Sequence, residues 1–160
     1  MKGKLALVAA ISLLTLGLVP SQAAAGYAVG VFEGTAHLPK FPCGTGLTCS
    51  GGTFSGKFVG RINGQVANGP MTANYSYTEP DTVASLCGVK GTANGTLSAA
   101  GHSGTFSWTR TGLTAVIHFT LDGHAGTAVA GFLPISSGFC KPLKPSTVNA
   151  TVAGTTVTTN

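Results

Sequence analysis

Side chains able to do acid–base or metal chemistry are few in this chain, and their spacing decides what they can do together. Four histidines (His37, His102, His118, His124) stand beside four carboxylates (Glu33, Glu79, Asp81, Asp122). The two closest histidines, His118 and His124, flank Asp122-Gly123, a dipeptide suited to the positive backbone angles of a tight hairpin. A two-residue turn there pairs Leu121 with His124 and His118 with Thr127, which puts the two rings on opposite faces of the sheet. They then cannot share a metal, and His124 is expected near the mouth of a barrel or sandwich. His37 and His102 have no carboxylate close in sequence. None of the four therefore carries the partners expected of a general base or a ligand.

The carboxylates give a similar answer. Glycoside hydrolysis needs two facing acids. Asp122 is accounted for as a turn residue, Glu79-Pro80-Asp81 reads as a solvated loop, and Glu33 has no evident partner in its own stretch of chain. The serine-nucleophile pattern Gly-x-Ser-x-Gly is absent, and it needs a strand-to-helix elbow that an all-β chain does not supply. No catalytic constellation, metal or cofactor is expected from these residues.

Cys43, Cys49, Cys87 and Cys140 form an even set. In an exported chain they are expected as disulfides, Cys43 with Cys49 across the short Gly-Thr-Gly-Leu-Thr segment and hence Cys87 with Cys140. On the chain-entropy account the long loop contributes roughly 4 kcal/mol and the short one about 2 kcal/mol. The metal alternative lacks a Cys-x-x-Cys pair, and its nearest histidine, His37, is separated from Cys43 by a Pro-containing stretch. Paired cysteines also leave no thiol nucleophile.

Export is read from the N-terminus. Lys2 and Lys4 precede an uncharged apolar run from Leu5 to Val19, followed by Pro20 and the small residues Ala23 and Ala25. This is the order of a cleavable signal peptide, predicted over residues 1–25, with a single mature domain over 26–160 and an extracellular destination. The run is too short for a spanning helix, which needs about 20 apolar residues, so no membrane partner is expected after cleavage. Losing Lys2 and Lys4 lowers the formal net charge from +5 to +3. The remaining cations are scattered, without the basic patch of a nucleic-acid binder.

The elements that must position these residues are strands. No stretch of the mature chain repeats apolar residues at helical spacing, and its many glycines (24 in the whole chain) would weaken helices. Alternation is clear in Phe54, Gly56, Phe58, Gly60 and Ile62 against Thr53, Ser55, Lys57, Val59 and Arg61. It recurs in Met71 to Tyr77 and in Leu113 to Leu121. Turn signals at Asn63-Gly64, Asn68-Gly69-Pro70, Asn94-Gly95, Gly101 and Asp122-Gly123 divide the runs. The prediction is an all-β, antiparallel meander of about eight strands, near 26–37, 52–62, 65–77, 88–99, 103–110, 113–121, 124–133 and 146–158. It closes as a small barrel, with a two-sheet sandwich as the alternative, and is stapled by two disulfides.

Aromatic residues are the candidate binding set. Phe54, Phe58, Tyr75, Tyr77 and Trp108 alternate with polar neighbours and are expected to point inward. There they form a core or line a cavity in which Gly56 and Gly60 leave room. Lys40 and Phe41 belong to a Pro- and Cys-braced loop, 38–49. The expected function is a secreted, non-catalytic binding module for a small apolar ligand or an extracellular protein partner. One alternative is a structural protein that self-associates through strand edges or its Thr-rich strand Ser146 to Thr159. Another is an enzyme inhibitor that inserts loop 38–49. Asn74, Asn94 and Asn149 match the N-glycosylation pattern.

Overall fold

The computed structural model describes residues 27–44, 46–79, 90–134 and 146–157. The expected signal peptide, Cys87 and Cys140 lie outside the described residues. Eight strands follow in order: β1 (Ala28–Phe41), β2 (Thr48–Ile62), β3 (Gln65–Thr78), β4 (Lys90–Ala99), β5 (His102–Thr111), β6 (Thr114–Leu121), β7 (His124–Pro134) and β8 (Ser146–Val157). Each pairs antiparallel with the next, and β8 returns to β1, so the sheet is a closed barrel. The barrel form of the prediction holds and the sandwich does not. Closure pairs β8 on both sides, so it has no free edge through which a second chain could add.

Inward positions follow the alternation in the sequence. Phe32, Phe54, Phe58, Ile62, Tyr75, Tyr77, Leu97, Leu121, Phe132 and Val152 are buried, and Thr, Ser, Asn and charged residues alternate with them on the outer wall. Burying each large apolar side chain is worth about 1.5–3 kcal/mol, and the strands supply them from all around the barrel. The Asp122-Gly123 turn sets the expected register, with Leu121 opposite His124 and His118 opposite Thr127.

Gly56 corrects one expectation. A Cβ placed there would lie 2.1 Å from the Glu33 carbonyl oxygen and 2.7 Å from Gly34 Cα. Its lack of a side chain permits close backbone approach of β1 and β2, and leaves no ligand room. The rings of Phe54 and Phe58 lie over this seam: Phe58 Cζ would be 3.0 Å from a Cβ at Gly60.

The two ends of the barrel differ. One carries the two-residue turns Asn63-Gly64, Ala100-Gly101 and Asp122-Gly123, whose members all have positive φ. The other carries the Gly112-Leu113 turn and the segment from Pro42 to Leu47, closed by the Cys43–Cys49 disulfide as expected. We refer to them as the turn end and the loop end.

Candidate functional site

The interior contains two small apolar chambers. The one nearer the loop end, about 60 Å³, is lined by residues including Phe54, Tyr75, Trp108, Ile117 and Phe132. The one nearer the turn end, about 40 Å³, is bounded among others by Phe58, Phe119, Leu121 and Thr156. Phe32, Met71, Leu97 and Ile117 line both and form the partition between them. Thr156 turns a hydroxyl to this wall, but it accepts from Gly30 N–H at 2.6 Å and donates to Gly30 O at 3.2 Å, which leaves the surface apolar.

Ring geometry fixes the chamber walls. Phe32 meets Phe54 edge-on with centroids 6.2 Å apart, and Tyr75 meets Phe106 in the same manner at 6.0 Å. Trp108 leans on Phe132 at 6.0 Å. These are favourable offset arrangements that hold the rings without filling the axis of the barrel. Trp108 and Ile117 point inward yet are only half-buried, as expected where open space lies against them.

The loop end is closed above the first chamber by a layer that sequence reasoning missed. Arg110 and Glu79 are 3% and 2% exposed. The Arg110 guanidinium stands over the Phe132 ring, 5.1 Å from its centroid, and Nε donates to Gly112 O at 2.7 Å. Burial pushes its pKa down to about 10, while the Glu79 carboxylate pulls in the opposite direction. Glu79 Oε2 accepts from Cys43 N–H at 2.8 Å and Gly44 N–H at 3.3 Å, and its carbonyl accepts from Gly46 N–H at 2.6 Å. The acid expected in a solvated loop is thus the anchor of the disulfide loop. Parity could have shown both residues: Arg110 continues Phe106 and Trp108, and Glu79 continues Tyr75 and Tyr77.

The candidate residues divide accordingly. Phe54, Tyr75 and Trp108 meet at the first chamber and Phe58 lines the second. Tyr77 is buried, and its phenol donates to Lys40 O, so it clasps β3 to β1 and lines neither chamber. Phe41 is 2% exposed and packs into the barrel, which leaves Leu47 as the exposed apolar side chain of this loop. Lys40 is exposed. Cys43 and Cys49 are bonded to each other.

At the turn end, folding supplies the carboxylate that the histidines lacked in sequence. Asp122 Oδ2 lies 2.5 Å from His102 Nδ1 and accepts from the Tyr27 phenol at 2.9 Å. The His124 ring stacks on Tyr27 with centroids 3.9 Å apart and planes inclined by 11°, so His124 does sit at the barrel mouth. Among the described residues no group of three His, Cys, Asp or Glu side chains is arranged to hold a metal ion. This cluster sits exposed at the rim of the mouth.

These features define a closed, eight-stranded, up-and-down antiparallel barrel with a partly filled apolar interior. No protein-family model, curated protein or solved structure matches the chain.

Proposed function

We propose that the chain is an extracellular, non-catalytic binding module that takes up a short, unbranched apolar molecule along the barrel axis. The observation that carries this reading is the pair of aligned apolar chambers separated by Phe32, Met71, Leu97 and Ile117. Dry apolar cavities take up apolar atoms and small rings because nothing inside competes for them. Pockets for drug-sized molecules measure about 300–1,000 Å³, so the 60 Å³ chamber selects a ligand of only a few heavy atoms. Met71 is unbranched and adaptable, and a rotamer change there would join the chambers into one longer slot. Such a ligand needs neither an acid nor a metal to be held.

The test is xenon pressurisation and short-alkane titration of the oxidised protein, followed by the indole N–H resonance of Trp108, the single tryptophan. A saturable shift that Met71→Phe abolishes is the expected result. An indole resonance that stays fixed up to ligand saturation in water overturns the proposal.

A different observation favours a second reading, binding of a protein on the outer wall. Val29, Val31, Val59, Val116 and Val129 are all exposed there, at 37–52%, and contiguous apolar surface rimmed by polar groups marks interaction sites.

A further inference from the structure

The valines lie on a face with an unusual internal symmetry. In the β1–β2 register, Val31 stands opposite Val59 and Glu33 opposite Lys57. The next strands continue the pattern. β8 places Thr155 beside Val31 and Ala153 beside Glu33, and β3 places Asn68 beside Val59 and Pro70 beside Lys57. All eight of these residues are exposed on the outer wall. Glu33 and Lys57 have no ion pair, since His102–Asp122 is the one such pair among the described residues.

A twofold axis lying in the face and running along the β1–β2 seam brings β1 of one copy onto β2 of the other. Each residue then meets the partner's copy of its own cross-strand neighbour, as an isologous interface requires. Val31 meets Val59, and Glu33 meets Lys57. One strand further out, Thr155 meets Asn68 and Ala153 meets Pro70. The contacts of these two rows are chemically matched, valine to valine, acid to base, hydroxyl to amide and methyl to proline ring, whereas the next row toward the turn end sets Val29 against Arg61 and bounds the contact there. Each charge gains an opposite charge across the axis in addition to its own cross-strand neighbour.

We propose that this face binds a second copy of the same chain, forming a twofold dimer about the β1–β2 seam. The matched rows span four strands and a few residues along each, on the order of 400 Å² per copy from strand spacing and rise. That lies below the standard interface of about 800 Å² per partner. The dimer is therefore weak and reversible, with a dissociation constant on the order of 100 µM. Closure of the barrel leaves this route to self-association independent of strand edges.

The experiment is sedimentation velocity of the oxidised protein from about 5 µM to about 1 mM, a range that brackets the expected constant, on wild type, Glu33→Lys, Lys57→Glu and the double exchange. Each single variant sets like charges against each other twice across the axis and is expected to weaken the dimer at least tenfold. The double exchange restores it. An equimolar mixture of the two single variants must also associate, because the doubly cationic seam of one then meets the doubly anionic seam of the other at both positions. Circular dichroism confirms that the single variants fold. A wild type that stays monomeric throughout the range overturns the proposal and leaves the face to an unlike partner. Dimers that ignore the single exchanges, or that neither the double exchange nor the mixture restores, overturn it too.

Discussion

The Tyr27 phenol donates a hydrogen bond to Asp122 Oδ2 at 2.9 Å, joining residues 95 positions apart and tying the start of β1 to the β6–β7 turn. The same carboxylate meets His102, and its Oδ1 accepts from Ser103 N–H at 3.2 Å. These bonds, His102 first, hold the Asp122 carboxyl below its ordinary value. A depressed acid contributes stability that is present above its unfolded pKa of about 3.9 and is lost as pH falls through the folded value. Asp122→Ala is therefore expected to melt a few degrees below wild type at pH 7, with the gap closing in melts run near pH 2. An unchanged gap at pH 2 would assign the loss to the turn and not to the charge.

All three tyrosines (Tyr27, Tyr75, Tyr77) resist ionisation. Tyr27 is held up by its bond to the Asp122 carboxylate, and Tyr75 and Tyr77 chiefly by burial. Raised folded values contribute stability that is present below the unfolded pKa of about 10 and is lost as pH rises through the folded values. Arg110 acts against them, since burial favours release of its proton at about 10. Absorbance at the phenolate band should therefore stay near zero past pH 10 and rise together with loss of the β-sheet circular dichroism signal. A tyrosine that titrates in the native protein at its ordinary value would contradict the bonding at its site.

Glycine positions separate two costs that look alike in sequence. A Cβ at Gly104 would lie 1.7 Å from Thr120 O, whereas Gly64 has open space around it and a φ of +75°. Gly64→Ala should cost only the left-handed backbone penalty, roughly 1–2 kcal/mol. Gly104→Ala forces β5 and β6 apart and should cost about 3 kcal/mol or leave the chain unfolded. Urea denaturation of the two variants in parallel measures both.

The same pair shows what was legible in the sequence. Alternation of Phe54, Phe58 and Ile62 with polar neighbours, and the turns Asn63-Gly64 and Asp122-Gly123, carried inward faces and the His118–Thr127 register, because they act locally, whereas Asn68-Gly69-Pro70 and Asn94-Gly95, expected as turns, lie within the ladders of β3 and β4. Room and close approach at Gly56 are indistinguishable in sequence, since both are written as a missing side chain. Strand ends were lost at irregularities. β2 runs back to Thr48 past Gly51 at φ +83°, where the pairing shifts between Cys49 and Gly52, and β1 runs through Pro39 to Phe41. The His102–Asp122 and Arg110–Glu79 relations depend on strands that meet only when the barrel forms. Their members looked solvated one at a time.

Arg110 and Glu79 make the sharpest test of the buried layer. Glu79 holds the disulfide loop with Oε2, while its buried Oε1 has no hydrogen bond, and its carboxylate acts on the buried Arg110 guanidinium in the same layer. Among the described residues no ion-pair contact joins Arg110 and Glu79, and their coupling acts at longer range. Arg110→Met is therefore expected to cost less than the roughly 3–5 kcal/mol of a broken buried ion pair, and Glu79→Gln, which keeps an acceptor for Cys43 and Gly44, less still. The double variant is expected to be more stable than Arg110→Met alone, a coupling that additive, independent effects cannot produce.

Ala100 is the turn residue least suited to its place. It holds φ +50° before Gly101, as Asn63 does before Gly64 and Asp122 before Gly123. Asn and Asp reach this region by bonding their own backbone, but alanine bears the full Cβ penalty of roughly 1–2 kcal/mol. The sequence gives no sign of it, because alanine carries no turn signal. The position survives because the β4–β5 register is set elsewhere, with Ala99 opposite His102 and Ala100 N–H donating to Pro70 O at 2.8 Å. Ala100→Asn relieves the penalty without touching that bond, so it should stabilise the protein by about 1 kcal/mol and raise the melting temperature by several degrees. Ala100→Val, β-branched and worse in this region, should lower it. If both substitutions lower the melting temperature alike, then crowding against Gly69, where an added Cβ would sit 3.2 Å from that of Ala100, outweighs the backbone term.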